Sequence, residues 1–157
     1  MDAKTIKGLA IVSITEGTKL GRVEEVVFDP QAMRVAAVLV GGDGQTFAIP
    51  FEKLTSIGAD AIMVDSSQVT QALSQGDTLS GLPSLRHLTG LKVVDEAGTL
   101  VGAVAGIDID GTTGRVLTIT IHKGGVMGIG QTTTTLGVEV VRGVGTDLIT
   151  VASVATV

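Results

Sequence analysis

Short apolar runs rich in valine and isoleucine, each closed by glycine, aspartate or proline, follow one another along this chain. Runs of that length and composition read as strands, because an amphipathic helix needs apolar positions every three or four residues over a longer span. Six strands are expected in the first part of the chain, near residues 8–13, 20–29, 34–41, 45–50, 52–57 and 61–65. Asp29-Pro30-Gln31-Ala32-Met33 turns the chain between the second and third, and Gly41-Gly42-Asp43-Gly44 makes the next hairpin.

The pattern then occurs again. Residues 21–40 lie over 102–121 at an offset of 81, with Gly21/Gly102, Val23/Val104, Asp29/Asp110, Arg34/Arg115 and Val35/Val116 identical. GLAIV at 8–12 matches GLKVV at 90–94 at an offset of 82, and 47–64 matches 134–151 at 87. Two copies of one small β unit are therefore expected, spanning 1–65 and 90–157. The growth of the offset to 87 makes the segment His122–Thr133 a longer, glycine-rich counterpart of Gly41–Thr46. Between the copies, residues 66–89 break the strand pattern. Val69, Ala72 and Leu73 have helical spacing behind a Ser66 or Ser67 cap, with Gly76 as a stop, and a second helical turn places Leu82, Leu85 and Leu88 on one side. The expected fold class is all-β: two tandem small, partly open β-barrels joined by a short, partly helical linker.

Because side chains of a strand alternate between faces, a position apolar in both copies belongs to the core and one that changes to polar faces outward. Val26/Ile107, Phe28/Ile109, Ala36/Leu117, Val38/Ile119, Val40/Ile121, Ile49/Leu136, Phe51/Val138, Ile62/Ile149 and Val64/Val151 pass as core. On the other face the second copy carries Asp108, Thr118 and Thr120 where the first carries Val27, Ala37 and Leu39. The first copy thus has an apolar outer face that its sibling lacks. Either the linker or the other copy covers it, or it is a homodimer or protein-partner surface centred on Val27, Val35, Ala37 and Leu39.

Composition narrows the function classes. Formal charge is -5, with six basic and nine acidic residues in 1–65 and five and seven in 66–157, so neither part offers phosphates a basic face. With no Trp or Tyr and three Phe, the chain also lacks stacking platforms for single-stranded nucleic acid, and no nucleic-acid partner is expected. The absence of Cys excludes disulfides, thiolate nucleophiles and Cys-ligated metals. No apolar run approaches the roughly 20 residues of a membrane helix, and MDAKTIKGLAIV is too short in its apolar part for a signal peptide. A soluble, cytoplasmic protein without membrane insertion is the expectation.

Candidate chemistry is sparse. His87 and His122 are the only histidines and have no ligand-type neighbours in sequence, so exposed or capping roles are expected. Asp108-Ile109-Asp110-Gly111 lacks the further oxygen ligands of a calcium loop and reads as a turn. The glycines of 124–130 could form an anion nest but lack the Lys-Ser/Thr of a P-loop, and a hairpin tip is the better account. Its Val126, Met127 and Ile129 form a second candidate contact surface. Glu52/Glu139 and Asp60/Asp147 recur in both copies, which argues for structural roles. No catalytic, metal or cofactor site is expected.

The opening GLAIV, the strand from Gly21 to Asp29, the turn to Arg34 and Val35, and AIPFEKLTSIGADAIMV resemble the PRC-barrel family. The second copy resembles it through GLKVV, Gly102, Asp110, Arg115 and VRGVGTDLITV, but has LGVEVV in place of IPFEKL. The family is named for the cytoplasmic domain of the photosynthetic reaction centre H subunit and is shared with the C-terminal part of the ribosome maturation factor. The resemblance implies small β-barrels acting as adaptor or assembly domains, with no catalytic residues to carry over. The expected function is a non-enzymatic adaptor or assembly module, working through a homodimer or a protein partner. The alternatives are a soluble regulator of membrane electron transfer, like the H-subunit barrel, and a small-ligand sensor with the glycine-rich loop as lid.

Overall fold

The computed structural model describes residues 1–42, 44–72, 78–124 and 130–153. The first copy forms β1 (Ala10–Ser13), β2 (Thr18–Asp29), β3 (Arg34–Gly42), β4 (Gln45–Pro50), β5 (Leu54–Ile57) and β6 (Ala61–Val64). A two-residue strand, β7 (Gln71–Ala72), and a short helix, α1 (Leu85–Leu88), lie between the copies. The second copy forms β8 (Lys92–Asp95), β9 (Leu100–Ile109), β10 (Val116–Lys123), β11 (Thr132–Gly137), β12 (Val141–Val144) and β13 (Leu148–Val151). The sheets have one topology: β5-β6-β1-β2-β3-β4-β7 in the first, and in the second β12-β13-β8-β9-β10-β11 when read from the corresponding edge. Each curls into a small, partly open barrel in which the first and last main strands pair in parallel, β1 with β6 and β8 with β13. A 3-10 turn, Phe51–Lys53 or Val138–Val140, bends the chain between β4 and β5 and between β11 and β12.

The first turn of each copy also repeats. The 3-10 turn Ala3–Ile6, capped by Asp2, has α1, capped by Ser84, as its counterpart at the offset of 82. Each is followed by a glycine in left-handed conformation, Gly8 or Gly90, whose N–H donates to the carbonyl of Val23 or Val104 at 2.8 Å. Ala3 and Ile6 are buried, as are Leu85 and Leu88. Of the three leucines expected on one side of the linker, Leu85 and Leu88 are therefore the opening turn of the second barrel unit, while half-buried Leu82 precedes its cap.

Between Val64 and this turn the structure departs from the helical expectation. Ser67–Val69 is a single 3-10 turn capped by Ser66, after which Gln71–Ala72 is extended and pairs antiparallel with Ala48 and Phe47 of β4. The free edge of β4 offers backbone partners that a helix at Ala72 would forgo. Leu73 and Gly76 lie outside the described residues.

A bulge at the same place in each copy corrects one core assignment. Val27 pairs with Ala37 and Phe28 with Val35, so Ala36 is an extra residue on β3. In the second copy, Asp108 pairs with Thr118 and Ile109 with Val116, leaving Leu117 as the extra residue. A bulge inverts side-chain parity on one strand. Val35 and Val116 consequently enter the core, while Leu117, expected inside, is 45% exposed.

One apolar core runs through both copies, and their junction is reciprocal. The Val35 N–H donates to Gly114 O at 2.8 Å and the Val116 N–H to Met33 O at 2.9 Å, on either side of a bridge between Arg34 and Arg115. The Phe28 N–H donates to Pro83 O at 2.9 Å, and its counterpart Ile109 N–H to Met1 O at 2.7 Å. Bridges between Val27 and Ser84 and between Asp2 and Asp108 complete the set. Each of these backbone contacts has a partner with the two copies exchanged, which is the signature of a twofold interface, here within one chain. Each opening segment lies against the long strand of the other barrel.

Candidate functional site

The apolar outer face of the first barrel is the surface the sequence singles out, and the structure closes most of it. Val27 is 3% exposed, Ala37 0% and the adjoining Ala48 1%, while Leu39 is half-buried. The segment between the copies runs to this face from both sides. The chain leaves along the outer edge of β4 at Gln71–Ala72 and reaches the far edge of β2 at Pro83–Ser84, beyond the end of β1. The described ends of this strap, residues 67–72 and 83–84, thus flank the sheet of β2, β3 and β4 at its two edges. Burial of each valine or leucine is worth roughly 1.5–3 kcal/mol, which is why a face so covered can be apolar. Of the two readings the sequence left open for this face, cover within the chain agrees with the burial of Val27 and Ala37, while Val35 points to the core because of the bulge.

The strap is fastened where it begins. The Glu16 carboxylate in the β1–β2 turn accepts from Ser13 Oγ at 2.7 Å, from the Ser67 N–H at 2.7 Å and from Ser67 Oγ at 2.8 Å. These bonds, led by that from Ser13, hold its carboxyl below the ordinary value of 4.5. Ser13 is fully buried, and its counterpart in the second barrel is the buried Asp95, whose carboxylate accepts from the N–H groups of Ala97 and Thr99 at 2.9 and 3.0 Å. Both polar positions organise the turn that follows. Only the first also ties down a distant segment.

The outer face of the second barrel is different. Asp108, Thr118 and Thr120 on it are half-buried. The outer edge of β11, which corresponds to the β4 edge filled by β7, has no strand on it among the described residues. Within β11, Thr132, Thr133 and Thr135 are exposed. The second candidate surface, Val126, Met127 and Ile129, lies outside the described residues.

The remaining candidates serve the fold. Asp110 Oδ1 accepts from the Thr112 and Thr113 N–H groups at 2.8 and 3.2 Å, and Asp29 does the same for Gln31 and Ala32 at 3.0 and 3.2 Å, so the recurring aspartate organises the same turn twice. His87 is exposed and its N–H donates to Ser84 Oγ at 3.1 Å in the helix cap, while His122 is half-buried on β10. Glu52, Asp60, Glu139 and Asp147 are exposed. The Glu139 carboxylate lies over Gly137, in the space a side chain there would need. No group of three or more His, Asp or Glu able to hold a metal occurs among the described residues. Phe28, Met33, Leu88, Val116 and Ile119 line an apolar cavity of about 30 Å³ at the junction. Larger open clefts, of about 470 and 480 Å³, lie beside Pro83, Ser84 and His87 and beside Lys4, Lys7 and Arg86, within the range of roughly 300–1,000 Å³ usual for small-molecule pockets.

These features define a class: a duplicated, self-paired small β-barrel whose two exteriors have diverged. The family model described as PRC-barrel domain matches residues 1–71 and again 84–155, and the chain belongs to that family as two tandem copies. The second match begins at Ser84, the cap of the turn equivalent to Ala3–Ile6. No curated protein matches the chain. No described helix is long and apolar enough to cross a membrane.

Proposed function

We propose that this chain is a non-enzymatic assembly module that works through protein contacts on the exterior of its second barrel. The observation that carries the reading is the asymmetry between equivalent edges: β4 is paired by β7, while β11 presents an unpaired edge among the described residues. Unpaired N–H and C=O groups along an edge are a template for an added strand. Elsewhere the recurring carboxylates Asp29 and Asp110 are engaged in turns, and Glu16, the one shifted carboxyl among the described residues, is engaged with Ser67. Such groups support the fold and leave recognition, rather than bond-making, as the role of the surface.

The test is site-specific photocrosslinking in source cells, with the reactive residue placed at Thr133 on the open edge or at exposed Thr46 on the covered barrel. Protein adducts formed through Thr133 and absent through Thr46 are expected. Absence of adducts at both positions, together with turnover of any compound in a general hydrolase and transferase panel, would overturn the reading.

A further inference from the structure

We infer that the open edge of β11 is a self-association site, at which β11 of a second copy pairs antiparallel to make one sheet across two chains. The inference names a partner for the assembly reading and rests on it only in taking the second barrel's exterior as a contact surface.

The edge itself is built for pairing. β11 pairs with β10 in an unbroken register from Gly137↔Thr118 to Thr132↔Lys123, whereas several other strand pairs here contain bulges. Its sequence, TTTTLG, contains no charge and no proline. Edge strands that avoid association use inward charges, proline, bulges or a cover, and β11 has none of these among the described residues. In the first barrel the same edge is closed by β7, in antiparallel register through Phe47↔Ala72 and Ala48↔Gln71. The corresponding residues of β11 are Thr134 and Thr135.

The edge is also complementary to itself. With a twofold axis at Thr134, Thr133 of each copy lies opposite Thr135 of the other on the outer face, and threonine pairs across strands are favourable. Thr132 sits beside Lys123 on β10, and the other end of β11 is followed by Glu139, whose carboxylate lies over Gly137. Both Lys123 and Glu139 are exposed. Antiparallel pairing brings the Lys123 end of one copy towards the Glu139 end of the other, twice. Parallel pairing would set like charges together, and a strand from an unrelated protein has no such match built in. The half-buried polar residues Thr118 and Thr120 on the adjoining face are compatible with a contact made chiefly through backbone bonds.

The test uses the purified full chain and reads mass by sedimentation across a concentration series. Wild type is expected to rise from one chain, 15.9 kDa, to two. The double variants Thr133→Lys/Thr135→Lys and Thr133→Glu/Thr135→Glu each place like charges opposite one another and should weaken the dimer about tenfold or more. An equimolar mixture of the two should restore it, a result that only pairing of this edge with itself produces. Both positions are exposed, and unchanged circular dichroism with a single cooperative melt will show that the variants fold. A single-chain mass for wild type throughout, or a dimer that survives in both variants, overturns the inference. Crosslinks from Thr133 to another protein, with wild type a single chain, overturn self-association while leaving the assembly reading intact.

Discussion

Met33 and Gly114 stand at the same position of the two repeats, both with left-handed backbone, φ 51 and 78, and the carbonyl of each accepts a hydrogen bond from the other repeat. The strand starts so joined surround the Arg34–Arg115 bridge and fix how the barrels meet. Their surroundings are exchanged in size. Gly114 lies against Phe51, whereas the counterpart of Phe51 in the second barrel is Val138 and the counterpart of Gly114 is the larger Met33. Gly114→Ala therefore adds a Cβ about 2.8 Å from the Phe51 ring on a backbone that disfavours it. A loss of about 2–4 kcal/mol is expected by urea denaturation, combining roughly 1–2 kcal/mol of left-handed strain with overpacking. Gly98→Ala, also at positive φ but in open space, isolates the strain and should cost only about 1 kcal/mol.

The covered face yields a prediction that separates intrachain from interchain burial. Ala37→Asp places a carboxylate at a fully buried position, with expected destabilisation of about 2–4 kcal/mol from an unpaired buried charge. Thr118→Asp at the equivalent, half-buried position of the second barrel meets Asp108 across the strands and should cost less, about 1 kcal/mol. If the face were an interface between chains, Ala37→Asp would make the stability of wild type and variant converge on dilution. The expected gap is independent of protein concentration.

Much of this architecture is legible in the alternation of side chains, and the failures have definite causes. The offsets of 81, 82 and 87 place every main strand pair, because turn residues and core positions recur under the same constraints. Parity failed at Ala36/Leu117, since a bulge resets alternation without leaving a charge or glycine to mark it. One signal was present: Val35 and Val116 are identical in the two copies, and by the rule that shared apolar positions face inward they belong to the core. The equivalence of Ala3–Ile6 with Leu85–Leu88 was hidden because the two turns share only apolar residues three apart, a cap before and a glycine after. The reciprocal junction is invisible in sequence for a different reason. Its hydrogen bonds join backbone groups, which every residue supplies.

Gly21 and Gly102 mark a second constraint that acts in both barrels. A Cβ on Gly21 would fall on the carbonyl oxygen of Gly41, and one on Gly102 on that of His122, so the strands could remain paired only by moving apart. Alanine at either site is expected to cost about 2–4 kcal/mol through overpacking and an unfavourable φ. Because one core joins the barrels, each substitution should lower a single cooperative transition, observed as coincident loss of signals from probes in the two repeats. Separate transitions would show that the junction does not couple them.

The Glu16 clasp gives the strap a pH dependence whose sign follows from its bonds. Ser13 and Ser67 donate to the ionised carboxylate and depress its pKa in the folded chain. Its contribution is then fully present above the unfolded value near 4.5 and is lost as pH falls through the lower folded value. Glu16→Gln removes the charge at every pH. Urea midpoints of wild type and variant should differ at pH 7 and converge towards pH 3, with faster amide exchange at Ser67 in the variant at neutral pH. A difference that stays constant over that range would mean that Glu16 acts through its shape and not through its charge.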